Sequence, residues 1–314
     1  MRILFIDKVH PFLWESLSAA KHDCMEGYEL SYEQVMKMIP ELNGLVIRSR
    51  IPIDRKLIDA GRHLKFIARA GSGMESIDVD FAEQNNIACL NAPEGSRDGV
   101  GEQAVGMMLS LMHNINRADM QVRTGRWERE GNRGIELSGK TVGIIGFGNM
   151  GSAFAEKLSG FGCRILAYDK YKKAFGNSWV KESNMEDIFE HADIVSIHLP
   201  LTSESEGLVN GDFISRFRKK IIIINTARGG CLNTNDLVAR MQSGKVIGAC
   251  LDVIEYEEPS FGSMNTDLWK KEKAWQYLVN SDRVVLTPHI AGLTEESNEK
   301  IARVLSDKIL RLKD

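Results

Sequence analysis

Residues 141–169 read TVGIIGFGNMGSAFAEKLSGFGCRILAYD, and this stretch limits the possible folds more than any other. A β-branched run with Val142, Ile144 and Ile145 leads into Gly146, Gly148 and Gly151, spaced G-x-G-x-x-G. A segment of helix length, 153–158, leaves the turn. A second apolar run over 164–168 then ends at Asp169, 18 residues beyond Gly151. The glycine triplet alone is a short match to a common residue. The strand before it, the helix after it and the acidic residue closing the next strand make it specific. A chain containing such a unit is committed to parallel strands joined by helical crossovers.

The rest of the sequence repeats that rhythm. Strands are expected at 2–7, 44–49, 65–70 and 88–91, with helices near 12–20, 32–38, 54–60 and 80–84. A long helix is expected over 101–121, where Val105, Met108, Leu109, Met112 and Ile115 recur at three- and four-residue spacing. From Lys140 a second series begins, with strands at 141–145, 164–168, 194–198, 220–225, 246–252 and 284–287. A final helix over 295–312 carries Ile301, Val304, Leu305, Ile309 and Leu312 on one face. The fold class is therefore α/β, with two doubly wound parallel-sheet domains.

Composition removes several classes of function. The net charge of −3 over 314 residues leaves no basic excess for a nucleic-acid surface. No apolar stretch approaches the length of a membrane span, and the opening MRILFIDKVH is too short for a signal-peptide core. Cys24, Cys89, Cys163, Cys231 and Cys250 are odd in number and scattered, with no C-x-x-C pair. They read as reduced thiols of a cytoplasmic protein, and no metal site is expected.

The glycine loop itself points to a dinucleotide. Gly146 permits a tight turn, Gly148 lets backbone amides approach a pyrophosphate, and Gly151 lets the helix pack on the strand. A carboxylate at Asp169 would accept from both ribose hydroxyls and repel a 2′-phosphate. NAD is therefore expected over NADP, although Lys170, Lys172 and Lys173 follow closely.

Three other strands of the second series end in polar segments, where open α/β sheets bind ligands. These are IIIINTARGG with Arg228, CLDVIEYEEP with Asp252, Glu255, Glu257 and Glu258, and TPHIAG with His289. Reduction of a 2-keto acid needs a proton on the carbonyl oxygen, which a histidine can donate and take back near neutral pH. A carboxylate on the far ring nitrogen fixes the tautomer and favours the imidazolium. An arginine can hold the substrate carboxylate with its planar fork. Singly, each segment is as well read as a surface arginine, a solvated acidic loop or a turn histidine. Their occurrence together at the ends of one sheet favours chemistry.

RAGSGMESID (69–78), GIIGFGNMG (143–151), HLPLT (198–202), NTARGG (225–230), LDV with its acidic residues (251–258) and TPHIAG (287–292) occur in the order seen in the D-isomer-specific 2-hydroxyacid dehydrogenases. The chain resembles that family over most of its length. The resemblance implies hydride transfer between NAD and a D-2-hydroxy or 2-keto acid, with Arg228, Glu257 and His289 as the catalytic set. Glu257 follows the aspartate of L-D-V by the family's spacing; Glu258, which directly precedes Pro259, is the alternative. The cofactor is expected against Gly146, Phe147, Gly148, Asn149, Met150, Gly151, Asp169, His198, Pro200, Thr226, Ala227, Asp252 and Gly292.

The resemblance also implies a Rossmann NAD domain (98–287) inserted into a discontinuous flavodoxin-like substrate domain (1–97 and 288–314), and a homodimer. Substrate is expected at Arg48, Arg69, Ala70, Gly71, Ser72 and Gly73, where the glycines leave amides bare for an anion. Within the family the chain looks most like D-3-phosphoglycerate dehydrogenases, which use arginines in similar segments; Arg129 of GRWERE is a weaker candidate. It stops soon after the final helix, so a serine-responsive regulatory domain is not expected. Ser260 to Asp282 is longer than usual; its Leu268, Trp269, Trp275 and Leu278 suggest an extra helix. A glyoxylate, hydroxypyruvate or lactate enzyme, or a non-catalytic NAD(H) sensor, are the alternatives.

Overall fold

The computed structural model describes residues 1–257 and 271–312. Two compact units divide the chain. Of the described residues, the first takes Met1–Arg97 and the return from Leu293; the second takes Asp98–Glu257 and 271–292, ending beyond the crossing expected after Thr287.

In the first unit, strands β1 (Arg2–Phe5), β2 (Asp23–Glu26), β3 (Gly44–Ile47), β4 (Phe66–Arg69) and β5 (Ala88–Leu90) form one sheet. Its order is β2-β1-β3-β4-β5, and every pairing is parallel. The strands are apolar at consecutive positions because both faces are covered. Leu4, Leu45, Ile47 and Ile67 enter one core; Ile3, Phe5, Val46, Phe66 and Ala68 enter the other. The second core is completed by Leu13 and Leu17 of helix Pro11–Ala19 and by Ala302, Leu305 and Ile309 of helix Glu295–Leu310. Side-chain caps fix the helix starts: Ser31 forms a capping box with Gln34, and Asp54, Asp78 and Thr294 each accept an amide at the third helical position.

The second unit contains β6 (Thr141–Ile145), β7 (Arg164–Tyr168), β8 (Val180–Glu182), β9 (Ile194–Ile197), β10 (Ile221–Asn225), β11 (Val246–Leu251) and β12 (Val284–Leu286). Their order is β12-β11-β10-β9-β6-β7-β8, again parallel throughout. The chain reverses its direction of growth between β6 and β9, so the carboxyl end of β6 lies at a topological switch point. The loops carrying Gly146, Asp169, His198, Thr226, Asp252 and His289 all leave the carboxyl ends of strands in this sheet.

Two local differences from the sequence reading have physical causes. The edge strands β2 and β8 were not expected, because DCME and VKE lack an apolar run and need bury little. The helix expected over 101–121 is two helices, Pro93–Met112 and Ile115–Arg123. Pro93 suits a first helical position, and Asn114 breaks the run in the left-handed region at φ 55°. Met108 and Met112 are buried as expected, but Ile115 lies past the break and is exposed. Ala274 and Leu278 of helix Lys273–Val279 enter the core, with Trp275 packed against it. Leu268 and Trp269, expected in the same helix, lie outside the described residues.

Candidate active site

The glycine loop is built by close approach. Gly151 has no room for a side chain: a β-carbon there would stand 2.0 Å from the Gly146 carbonyl oxygen. Gly146 has φ of 91°, and a β-carbon would stand 2.4 Å from the His198 carbonyl oxygen. Gly148 differs, since its β-carbon would meet nothing within 4 Å. It is the N-cap of helix Asn149–Leu158, so Asn149 and Met150 present first-turn amides beside open space. An open glycine at a helix N-terminus fits a pyrophosphate, and in that respect the residues present fit NAD.

Asp169 closes β7 and faces this loop. Its Oδ2 accepts the Phe147 amide at 2.7 Å, and its Oδ1 accepts the amides of Tyr171 and Lys172 at 3.0 and 2.9 Å. Burial raises the carboxyl pKa, but the amides of Lys172, Phe147 and Tyr171 outweigh it and hold the group below its ordinary value. Asp169 therefore stays a carboxylate and retains a lone pair on Oδ2 for a hydroxyl. Each of the three lysines that follow Asp169 has a partner, two of them at the cofactor loop itself. Lys170 pairs with Glu204 at 2.7 Å, while Lys172 and Lys173 donate to the carbonyls of Phe147 and Asp169. Phe147 is buried and stacks on Phe175.

His198 and Thr226, just beyond β9 and β10, are buried. His198 Nε2 meets the Ser196 hydroxyl at 2.8 Å, whereas His198 Nδ1 and Thr226 Oγ1 have no partner among the described residues. Burial pushes the His198 pKa down to about 3, so the ring is neutral. The Pro200 carbonyl accepts from the Ser205 hydroxyl at 2.5 Å. Ala227 is buried and donates its amide to Asn225 Oδ1 at 3.1 Å.

Asn225 is a residue the sequence reading passed over. It is wholly buried, and its Nδ2 also donates to the Arg228 carbonyl at 3.0 Å, which shapes the turn that presents Arg228. A polar residue ending an apolar strand just before a turn was the available signal. The Arg228 Nη1 donates to the Ala227 carbonyl at 2.6 Å. At Gly229 a β-carbon would stand 2.0 Å from the Ile254 carbonyl oxygen, so the arginine turn lies directly against the acidic segment.

That segment meets the histidine. The Ile254 amide donates to Glu257 Oε1 at 2.7 Å, and Glu257 Oε2 lies 2.6 Å from His289 Nδ1. The two side chains are 14% and 23% exposed. Glu255 instead accepts the Thr234 amide at the start of helix Thr234–Gln242. Glu258, the alternative partner, lies outside the described residues. Asp252, expected at the cofactor, directs its carboxylate onto the histidine loop: Thr287 Oγ1 and the amides of Ile290 and Ala291 donate to it at 2.5, 2.9 and 2.9 Å. Gly292 follows with φ of 86°.

The first unit brings its candidates to the ends of β3 and β4. Arg48 is exposed and its guanidinium has no hydrogen-bond partner among the described residues; its amide donates to Asp7 Oδ2 at 2.5 Å. Arg69 donates to the Arg48 carbonyl at 3.3 Å and lies across Gly71, where a β-carbon would come within 1.6 Å of its Nη1. Ala70 and Gly71 use their amides on the carbonyls of Ile47 and Arg69. Gly71 is thus not a bare amide. The bare run is Ser72, Gly73 and Met74, whose amides have no partner among the described residues. Arg50, unnoticed in the sequence, binds Asp7 and the carbonyls of Ile6, Gly27 and Leu30. Arg129 is exposed, beside the short turn Glu130–Asn132. Among the described residues no group of His, Cys, Asp and Glu is arranged to hold a metal ion, and no helix is long and apolar enough to cross a membrane.

Comparison with known proteins accounts for this arrangement. Residues 105–291 match the family described as D-isomer specific 2-hydroxyacid dehydrogenase, NAD binding domain. A hydroxypyruvate reductase of Thermotoga maritima is 38% identical over 282 residues, which cover 90% of this chain and 88% of that protein. A D-3-phosphoglycerate dehydrogenase of Archaeoglobus fulgidus is 33% identical over 90% of this chain, but only 52% of its own length is matched. The chain thus spans about half the length of such dehydrogenases. The crystal structure of a glyoxylate reductase from Paecilomyes thermophila superposes with a TM-score of 0.86 over 99% of this chain and 94% of that one, at 24% identity, a likeness of fold. The chain belongs to the D-isomer specific 2-hydroxyacid dehydrogenase family. It is an NAD-dependent oxidoreductase of that class.

Proposed function

We propose that His289 is the proton donor and acceptor of a D-2-hydroxyacid dehydrogenase, with Glu257 holding its ring and Arg228 binding the substrate carboxylate. The observation that carries this is the 2.6 Å contact between Glu257 Oε2 and His289 Nδ1. A carboxylate on Nδ1 leaves Nε2 as the nitrogen that meets the substrate oxygen, and it stabilises the imidazolium while the proton is held there. Bound at Gly146–Gly151 and Asp169, NAD would supply or take up the hydride at the carbonyl carbon. Arg228 is held beside the acidic segment by Asn225 and by the approach of Gly229 to Ile254, a fixed position from which its fork can grip a carboxylate. Substituting His289→Gln or Arg228→Ala abolishes turnover and leaves NAD binding within about threefold. Turnover within about tenfold of wild type in either variant would refute the assignment.

For the substrate we favour D-3-phosphoglycerate and its 2-keto partner, which would put the enzyme in serine biosynthesis in the cytoplasm. Support comes from the first unit: Arg69, and the Arg48 guanidinium and the amides of Ser72, Gly73 and Met74, which have no partner among the described residues, suit a substrate with more than one anionic group. A second reading, hydroxypyruvate reduction, is favoured by the 38% identical relative of matching length. The two differ by one phosphate. Parallel assays with 3-phosphohydroxypyruvate, hydroxypyruvate, glyoxylate and pyruvate therefore decide between them. Arg48→Ala should lower kcat/KM for the phosphorylated acid alone; an equal loss on hydroxypyruvate would remove the phosphate role. Ile115, Val122 and Trp127 are 52%, 52% and 80% exposed, apolar surface that suits a homodimer.

A further inference from the structure

His289 adopts a backbone conformation that is uncommon for any residue other than glycine. Its φ is 53°, in the left-handed region, where the β-carbon of an L residue crowds the carbonyl oxygen. Such a conformation persists only where its surroundings over-determine it. Here four of the described restraints on residues 287–291 come from a single residue, Asp252. The Asp252 carbonyl accepts the His289 amide at 2.8 Å. The Asp252 carboxylate accepts the Thr287 hydroxyl and the Ile290 amide on Oδ1, and the Ala291 amide on Oδ2. Beside these, the Thr287 amide donates to the Leu251 carbonyl at 3.1 Å, the His289 amide also reaches the Thr287 carbonyl at 3.1 Å, and Glu257 holds the ring. Asp252 is 2% exposed, and its nearly buried charge accepts three donors, all from residues 287–291.

We propose that Asp252 is a positioning residue whose carboxylate locks residues 287–291 into the turn that keeps His289 left-handed, and so sets the imidazole against Glu257. The proposal rests on the reading of His289 as the proton donor. Relaxing His289 to a negative φ would redirect its β-carbon, and with it the ring, away from the carboxylate at 2.6 Å. Asp252 then acts on the chemistry without touching the substrate. Its role also differs from the cofactor contact expected from the sequence.

Asp252→Asn tests this with little change in size. One oxygen becomes an NH2 group that must face either the Ala291 amide or the Thr287 and Ile290 donors, so at least one restraint is lost. A misplacement of the ring by about 1 Å lowers kcat on the order of 100-fold. NAD affinity, read by fluorescence titration, and substrate KM should stay within about threefold. The Nδ1 resonance of His289, assigned by its absence in His289→Gln, should lose its hydrogen-bonded position. Thr287→Val, which deletes one donor and keeps the shape, should lower kcat less, and Thr287→Ser should restore most of it. This second series keeps the proposal testable if Asp252→Asn does not fold. Wild-type kcat in Asp252→Asn or Thr287→Val, with His289→Gln inactive, would overturn the clamp alone. A fall in NAD affinity matching the fall in kcat would overturn it in favour of a cofactor contact. Turnover in His289→Gln would instead refute the proton-donor reading.

Discussion

His198 should make the second unit lose stability on the acid side of neutrality. The ring is 8% exposed, its Nδ1 has no partner among the described residues, and burial lowers its pKa from 6.5 to about 3. Unfolding returns it to water, where it titrates at its ordinary value of about 6.5. Between those two values the unfolded chain binds a proton that the folded chain refuses. Stability from this group is therefore intact above about pH 6.5 and falls as the pH drops, at about 1.4 kcal/mol per unit. From pH 7 to pH 5 the loss is about 2 kcal/mol, set against a total stability of roughly 5–15 kcal/mol.

The perturbation is His198→Gln, since a glutamine amide can keep the 2.8 Å contact of Nε2 with the Ser196 hydroxyl but cannot titrate. Any packing defect it causes is the same at both pH values. Urea unfolding of both proteins at pH 7 and pH 5 gives a double difference from which the other groups cancel. The variant should lose about 2 kcal/mol less than wild type over that interval. Parallel losses in the two proteins would show that His198 is protonated in the fold or not buried as described.

Three further outcomes separate residues that look alike in the sequence. Gly151→Ala should destabilise by about 1–3 kcal/mol in thermal unfolding, because its β-carbon meets a carbonyl at 2.0 Å, whereas Gly148→Ala should keep the melting temperature and weaken NAD in titrations. Arg50→Ala should cost about 2 kcal/mol or more in urea unfolding, because it strips partners from Asp7 and three carbonyls; Arg48→Ala should be neutral in the same assay. Asp169 is held below its ordinary value, so its charge is present above about pH 4 and is lost only as the pH falls through the depressed value. NAD affinity should accordingly stay flat from pH 7 down to about pH 4, where an ordinary aspartate is about half protonated, and a decline already half complete at that pH would contradict the amide cradle.

The doubly wound fold was legible because both faces of each central strand are covered, which leaves an unbroken apolar run such as Ile221–Asn225. Two of the edge strands, Asp23–Glu26 and Val180–Glu182, were not, since a strand paired on one side need not be apolar. The loop positions were legible for a related reason: polar residues that end an apolar strand can serve only a turn or a ligand. Sequence does not say which. Asp252 and Arg50 show the difficulty. The charge of each serves backbone groups of its own unit, a use that a residue's place at a strand end does not reveal.

The same distinction ranks the candidates that remain. Asp169 binds three amides, Asn225 one amide and one carbonyl, Glu257 one amide and the His289 ring, and Asp252 two amides and a hydroxyl. These residues make the loops rigid, and a rigid loop is what precise placement of a proton donor requires. A ligand must instead be recognised by groups the protein has not already satisfied, because a buried polar atom without a partner is costly to keep. Among the described residues those groups include Thr226 Oγ1 and His198 Nδ1 in the second unit, and the Arg48 guanidinium with the amides of Ser72, Gly73 and Met74 in the first. Losses in ligand affinity without losses in stability should therefore concentrate at Thr226 and Arg48 rather than at the carboxylates that first drew attention to the site.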